Sequence, residues 1–345
     1  MRGEMRSDPQ RHHPGALARL ALIAFGVIVA LAIVVGFVLL KADDWAVFTD
    51  PARDGVRVAY YRDDADLGYG PLPGRTVRAR KTVAGRVIYD VLYTIDDDGG
   101  RATPGDPQGR SFLFFGDSCT FGEGVGDNET MPAAFAREVG GSANVRNLGF
   151  HGYGPHQTVR ELELERIEKL VPGGVAHAFY MSLPSHGSRA AGRSPWDVSG
   201  PRYVLDDADG SGSAVRYKGS FHAYPVALLL RGINRVPPLR KLRERWLMTE
   251  PGDDERELHA RLLARAAALV RTRFDAPFTV LHWDDGSPAD ERFLARLDQL
   301  GIDVVRVSTI ISHDQRSALA IPGDGHPNET AYALLADALA LRTAR

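Results

Sequence analysis

The segment Ser111-Phe-Leu-Phe-Phe-Gly-Asp-Ser-Cys-Thr-Phe-Gly-Glu-Gly-Val125 decides how this chain folds. A short apolar run stops abruptly at Gly116-Asp117-Ser118, which predicts a buried strand over 111–115 delivering a serine to a sheet edge. Far downstream, Gly323-Asp-Gly-His-Pro-Asn328 opens the last helical pattern. A serine just past a strand, with an aspartate and a histidine available later, is the raw material of nucleophilic catalysis.

The pattern around that strand alternates. Apolar strand candidates fall at 111–115, 144–148, 175–181, 277–283 and 303–308, with helical patterns at about 130–139, 155–170, 254–273, 289–300 and 328–343. Strands alternating with helices predict a parallel sheet covered on both faces and joined by right-handed crossovers. In such α/β sheets, ligands bind at the carboxyl ends of the strands, which is where Ser118 falls. Residues 184–250 break the rhythm; they are rich in Gly, Ser, Pro and Arg and read either as an insertion near the rim of the site or as a plain surface excursion with no contact to substrate.

Upstream, residues 41–110 read as a small β-rich lead-in. Val56–Tyr61 and Val87–Ile95 are its strand candidates, and Asp96-Asp-Asp-Gly-Gly100 is a turn cluster. Leu20–Leu40 carries no charged residue. As a helix it would run about 31 Å, enough for a bilayer core. Arg2, Arg6, Arg11 and Arg19 precede it, whereas Lys41, Asp43 and Asp44 follow. This predicts an uncleaved single-pass transmembrane anchor with a cytoplasmic tail over 1–19, and a periplasmic or cell-surface main domain. A cleaved signal peptide is disfavoured by the length of the run.

Composition narrows the classes. The formal net charge of −2 gives no electrostatic reason to expect nucleic acid. The single cysteine, Cys119, excludes an intrachain disulfide and zinc-finger spacing. His12-His13 lies in the tail and has no cysteine partner, so no metal site is expected, and no organic cofactor. Gly122-Glu-Gly-Val-Gly126 lacks the Lys-Ser/Thr ending of a phosphate-binding loop. Asn128-Glu-Thr and Asn328-Glu-Thr match a glycosylation pattern too short to weigh.

A serine hydroxyl needs a base to take its proton, and histidine suits that role near neutral pH. The candidates are Ser118 as nucleophile, His326 as base and then acid, and Asp324 as the orienting carboxylate. The α/β-hydrolase elbow G-x-S-x-G is not met, because Thr120 stands where its second glycine belongs.

Gly116-Asp-Ser-Cys-Thr-Phe-Gly122 resembles the first block of the SGNH/GDSL hydrolases, esterases and lipases on a flavodoxin-like three-layer α/β/α domain. The resemblance covers most of 111–345, the insertion excepted. It implies that Ser118 is the nucleophile and that Asp324 and His326 complete the triad. Asn147-Leu-Gly-Phe-His-Gly-Tyr-Gly154 is similar to the second block, which implies that Gly152 joins Ser118 in the oxyanion hole. The third block usually supplies an asparagine; here Leu183-Pro-Ser-His-Gly-Ser-Arg189 has none, and Ser185 aligns there, with His186 as a substitute. Asp324 and His326 are two residues apart, where the family usually has three. Asp117, Asn147, His151, His186 and Arg189 are the remaining candidates for the pocket.

The resulting expectation is a membrane-anchored serine esterase acting on a small-molecule or glycan ester. The altered third block leaves two alternatives: an O-acyltransferase modifying an envelope polysaccharide, or a non-catalytic glycan-binding protein. Acyl chain, alcohol and oligomeric state are not legible.

Overall fold

The structure, a computed structural model, describes residues 20–21, 23–32, 46–206, 214–247 and 249–344. The chain divides into two units, residues 1–42 and 43–345.

In the first unit, residues 20–21 and 23–32 have helical backbone with apolar side chains exposed. Among the described residues no helix is long and apolar enough to cross a membrane. Twelve described helical residues rise only about 18 Å, against roughly 30 Å of hydrocarbon. This overturns the single-pass anchor expected over 20–40, and the periplasmic or cell-surface location inferred from that anchor falls with it. The cytoplasmic tail expected over 1–19 and the end of the apolar run at 33–40 lie outside the described residues.

The second unit begins with the lead-in. Its strands are β1 (Val47–Thr49), β2 (Tyr61–Asp64), β3 (Gly68–Pro71), β4 (Arg75–Val83) and β5 (Arg86–Ile95). They pair antiparallel as β1-β4-β5 and β2-β3. Alternation is clear in β4, where Val77 and Ala79 are buried while Arg78 and Arg80 are exposed. The strand expected over 56–61 is displaced: Arg57 makes only an isolated bridge to Thr49, and β2 starts at Tyr61.

The main sheet holds β6 (Ser111–Phe115), β7 (Asn144–Asn147), β8 (Val175–Ser182), β11 (Phe278–His282) and β12 (Asp303–Arg306). All neighbours run parallel, in the order β12-β11-β8-β6-β7. Numbered within the sheet this is 2-1-3-4-5, the flavodoxin-like doubly wound order. The order reverses between β6 and β8, and the crevice at that switch point is where such sheets bind ligands. Ser118 lies just past the end of β6.

The connecting helices are α1 (Ser118–Phe121), α2 (Met131–Val139), α3 (Pro155–Glu163), α4 (His186–Ala190), α5 (Tyr224–Asn234), α6 (Pro237–Leu247), α7 (Asp253–Phe274), α8 (Pro288–Gln299) and α9 (Glu329–Thr343). The antiparallel pair β9 (Pro201–Asp206) and β10 (Ala214–Ser220) belongs to the insertion, with α4, α5 and α6. The helix expected over 155–170 ends early; Glu165 takes a left-handed conformation and a 3₁₀ turn follows at Glu168–Leu170.

The apolar run of β6 explains the layering. Phe114 packs with Phe135 of α2, Phe179 and the α9 residues Tyr332 and Leu335. Leu113 and Phe115 join the opposite cluster with Val159 of α3, Leu262 and Leu263 of α7 and Phe293 of α8. Alternate residues feed alternate faces, and each fully buried side chain of this size contributes about 1.5–3 kcal/mol. The lead-in enters the first cluster through Tyr60, Val77, Tyr89 and Tyr93, so its strands reach the ground beside Ser118.

Candidate active site

Ser118 is the first residue of α1. Asp117 caps that helix by accepting the Cys119 N–H at 3.0 Å, which turns the chain sharply out of β6. As an opening residue of a helix, Ser118 has a backbone N–H with no partner inside it. Cys119 is buried beside it, and burial pushes its thiol pKa up, as suits a packed apolar side chain.

His326 Nε2 lies 2.8 Å from Ser118 Oγ. Its other ring nitrogen, Nδ1, bonds Asp324 Oδ1, which also accepts the His326 backbone N–H at 3.1 Å. The two-residue spacing works because Gly325 has a φ of +98°, folding the Asp324 carboxylate back onto its near neighbour. Since a carboxylate only accepts, Nδ1 carries the proton and Nε2 is free to take one from Ser118.

The electrostatics suit a base. Burial pulls the His326 pKa down, but the Asp324 hydrogen bond and the charges of Glu123 and Asp324 outweigh it, leaving it raised. Burial would raise Asp324, yet His326 and Lys81 hold it well below the usual carboxylate range.

Two of these partners were not anticipated from sequence. Lys81 of β4 places Nζ 2.6 Å from Asp324 Oδ2. Glu123, inside the opening segment, binds His151 Nδ1 at 2.6 Å and Tyr89 Oη at 3.1 Å. Arg101 is a third: its buried guanidinium donates to the carbonyls of Phe121, Gly122 and Val125 and cradles the loop after α1. Lys81 gives no local signal, since its role is set by strand pairing 243 residues from Asp324. Glu123 could have been read from its closeness to Ser118.

The remaining candidates divide. Asp117 is a buried anion held by Arg189 at 2.7 Å and His186 Nε2 at 3.2 Å. Burial opposes its charge, but Arg189 and His186 keep its pKa well below the usual range. Arg189 also binds the Tyr153 carbonyl at 2.8 Å, so it anchors the loop beneath the site. His186 spends its other nitrogen on Tyr180 at 2.8 Å, so both ring nitrogens are engaged. Burial lowers its pKa to about 4. Asn147 is likewise occupied, donating to the Thr120 and Phe121 carbonyls at 3.1 and 3.3 Å and accepting the Gly149 N–H.

Gly152 sits in the loop after β7 with a φ of +72°, and a Cβ there would stand 2.3 Å from Trp196 Nε1. Trp196, from the insertion, donates to the Gly152 carbonyl at 3.2 Å and so orients that peptide. Ser185 directly precedes α4 and is half-buried; no hydrogen bond joins it to Ser118 among the described residues.

Glu123, Asp324 and His326 each bring a ligand-type atom within 4.8 Å of the others. The Lys81 ammonium already occupies Asp324, and a cation placed there would meet its charge.

No family model and no curated protein matches the chain. Among solved structures, it is similar to a "putative arylesterase" from Agrobacterium tumefaciens str. C58, with 16% identity, a TM-score of 0.37, and coverage of 68% of this chain and 97% of that one. It is also similar to a carbohydrate acetylesterase family member from Sinorhizobium meliloti, with 11% identity, a TM-score of 0.37, and coverage of 68% and 96%. Likeness at this level decides neither activity nor substrate.

Proposed function

We propose that this chain is a serine esterase of the SGNH/GDSL type that hydrolyses O-acyl esters through an acyl-enzyme. The observation that supports it is the relay Ser118 Oγ–His326 Nε2 at 2.8 Å, continued through Nδ1 to Asp324. In this reading Ser118 Oγ attacks the ester carbonyl carbon while its proton passes to His326 Nε2. The tetrahedral oxyanion is stabilised by the N–H groups of Ser118 and Gly152, with Ser185 as the third candidate donor. His326 then gives the proton to the departing alkoxide as the C–O bond breaks. Water, deprotonated by His326, releases the acid and restores Ser118.

The test is hydrolysis of a panel of acetyl to long-chain p-nitrophenyl esters by the wild-type chain and by Ser118→Ala. Turnover lost in Ser118→Ala at unchanged folding supports the reading. Equal turnover by the two proteins contradicts it.

A further inference from the structure

Resting on the esterase reading, we infer that Glu123 is a positioning residue: a second carboxylate that faces the Nε2 edge of His326 and stabilises the imidazolium formed when Ser118 gives up its proton. Asp324 already occupies Nδ1. Glu123 Oε2 lies 3.8 Å from Nε2, the nitrogen that also binds Ser118. That distance is too long for a hydrogen bond and short enough for a strong charge interaction.

The position of Glu123 is fixed from three sides. Its backbone N–H, with that of Gly122, donates to the Ser118 carbonyl, both at 2.9 Å. Its carboxylate is clamped by Tyr89 of β5 and by His151 of the loop after β7. Because a carboxylate only accepts, His151 Nδ1 carries the proton of that bond. His151 Nε2 has no hydrogen-bond partner among the described residues. Glu123 is thereby held as a carboxylate. Burial opposes that charge, but His151 and His326 hold its pKa down at about 2.

Among the described residues, the charged and titratable groups facing His326 come from several elements. Asp324 lies on its own loop, and Asp117 and Ser118 on the turn out of β6. Glu123 follows α1, with His151 and Tyr89 behind it, and Lys81 of β4 acts through Asp324. Glu123 and the two aspartates favour the charged imidazole, and burial disfavours it.

Glu123→Gln removes the charge with little change in shape. A unit charge at 3.8 Å in a water-like dielectric moves a titration midpoint by roughly 0.8 unit. The His326 midpoint is read by NMR of the imidazole in a Ser118→Ala background, with Glu123 or with Glu123→Gln. It is expected to fall by about that amount. In otherwise wild-type protein the acid limb of kcat/KM moves down equally, while plateau turnover drops by about tenfold or less. A purely structural role would lower turnover at every pH and leave both midpoints in place, and that result overturns the inference. Should Glu123→Gln not fold, Glu123→Asp carries the test, with a smaller shift in the same direction. The NMR midpoint does not depend on esterase activity, so failure of the esterase reading and failure of this inference are separable.

Discussion

Two Ser–His–Asp chains hang from the carboxyl ends of the same sheet. One is Ser118–His326–Asp324, past β6. The other is Ser182–His282–Asp290, joining β8, β11 and α8: Ser182 Oγ lies 3.0 Å from His282 Nδ1, and His282 Nε2 lies 2.8 Å from Asp290. Residue types and distances are nearly the same. The orientations are opposite, since Ser118 meets Nε2 of its histidine and Ser182 meets Nδ1. Exposure separates them further. The His326 side chain is 22% accessible, whereas Ser182 and His282 are at 0%. Ser182 is also shared with His259 Nε2 at 3.2 Å, and lies within a strand rather than at the start of a helix. A relay of hydrogen bonds is therefore not a reaction centre by itself. It needs access to solvent and backbone donors aimed at the incoming oxygen. The buried chain fits a different task, that of satisfying polar groups inside the core.

The sharpest way to break this comparison is to remove each serine. Ser118→Ala should lower ester turnover by about 10³-fold or more, read as kcat on a soluble ester. Ser182→Ala should leave turnover per folded molecule unchanged. It should cost about 1–3 kcal/mol in denaturant unfolding, because His282 and His259 lose a shared partner. Equal losses of activity in the two variants would erase the distinction.

The carboxylates give the next contrast. Asp324→Asn should reduce turnover by about 10³–10⁴-fold, by favouring the wrong tautomer of His326. Asp290→Ala should instead destabilise by about 1–3 kcal/mol, because it leaves His282 Nε2 and the Asp285 N–H without their partner. A smaller effect is expected at Gly152. Gly152→Ala forces the loop away from Trp196 and should cost about 10²-fold in kcat with little change in probe access to Ser118.

The pH responses should also part. In the proposed mechanism His326 must be neutral to act, and its pKa is raised, so kcat/KM should climb through a midpoint above about 6.5. Stability should respond in the opposite range. His186 and His259 are buried with lowered pKa values, so the unfolded chain binds their protons first. Unfolding free energy should therefore fall as pH drops below about 6.5, down to about 4 for His186. Denaturant titrations at several pH values check this, and stability that rises over that window would contradict it.

The sequence makes some of this arrangement legible and hides the rest. Phe112–Phe115 reads as a buried strand because its apolar run is bounded by a glycine turn, and the five parallel strands follow from alternation with helical patterns. Ser118, Asp324 and His326 could be paired on paper because their chemistry is local to short blocks. The lead-in's contribution could not be: Lys81 meets Asp324, and Tyr89 meets Glu123, only through the antiparallel pairing of β4 and β5 and the shared core with β6. The role of Trp196 is similarly long-range, since its contact with Gly152 joins the insertion to the loop after β7. His186 and Asn147 present a different case. Both lie in promising blocks, yet both are consumed by buried hydrogen bonds. The anchor expected over 20–40 rested on hydropathy, run length and flanking charge, and the described helical stretch is too short to span a bilayer.

The central claim is that Ser118 alone of the two serines is a nucleophile. The most direct measurement is peptide mapping by mass spectrometry after treatment with a fluorophosphonate probe, at a pH where His326 is neutral. The account predicts a single adduct on Ser118, absent from Ser118→Ala and retained in Ser182→Ala. An adduct on Ser182, or none on correctly folded wild-type protein, would contradict it.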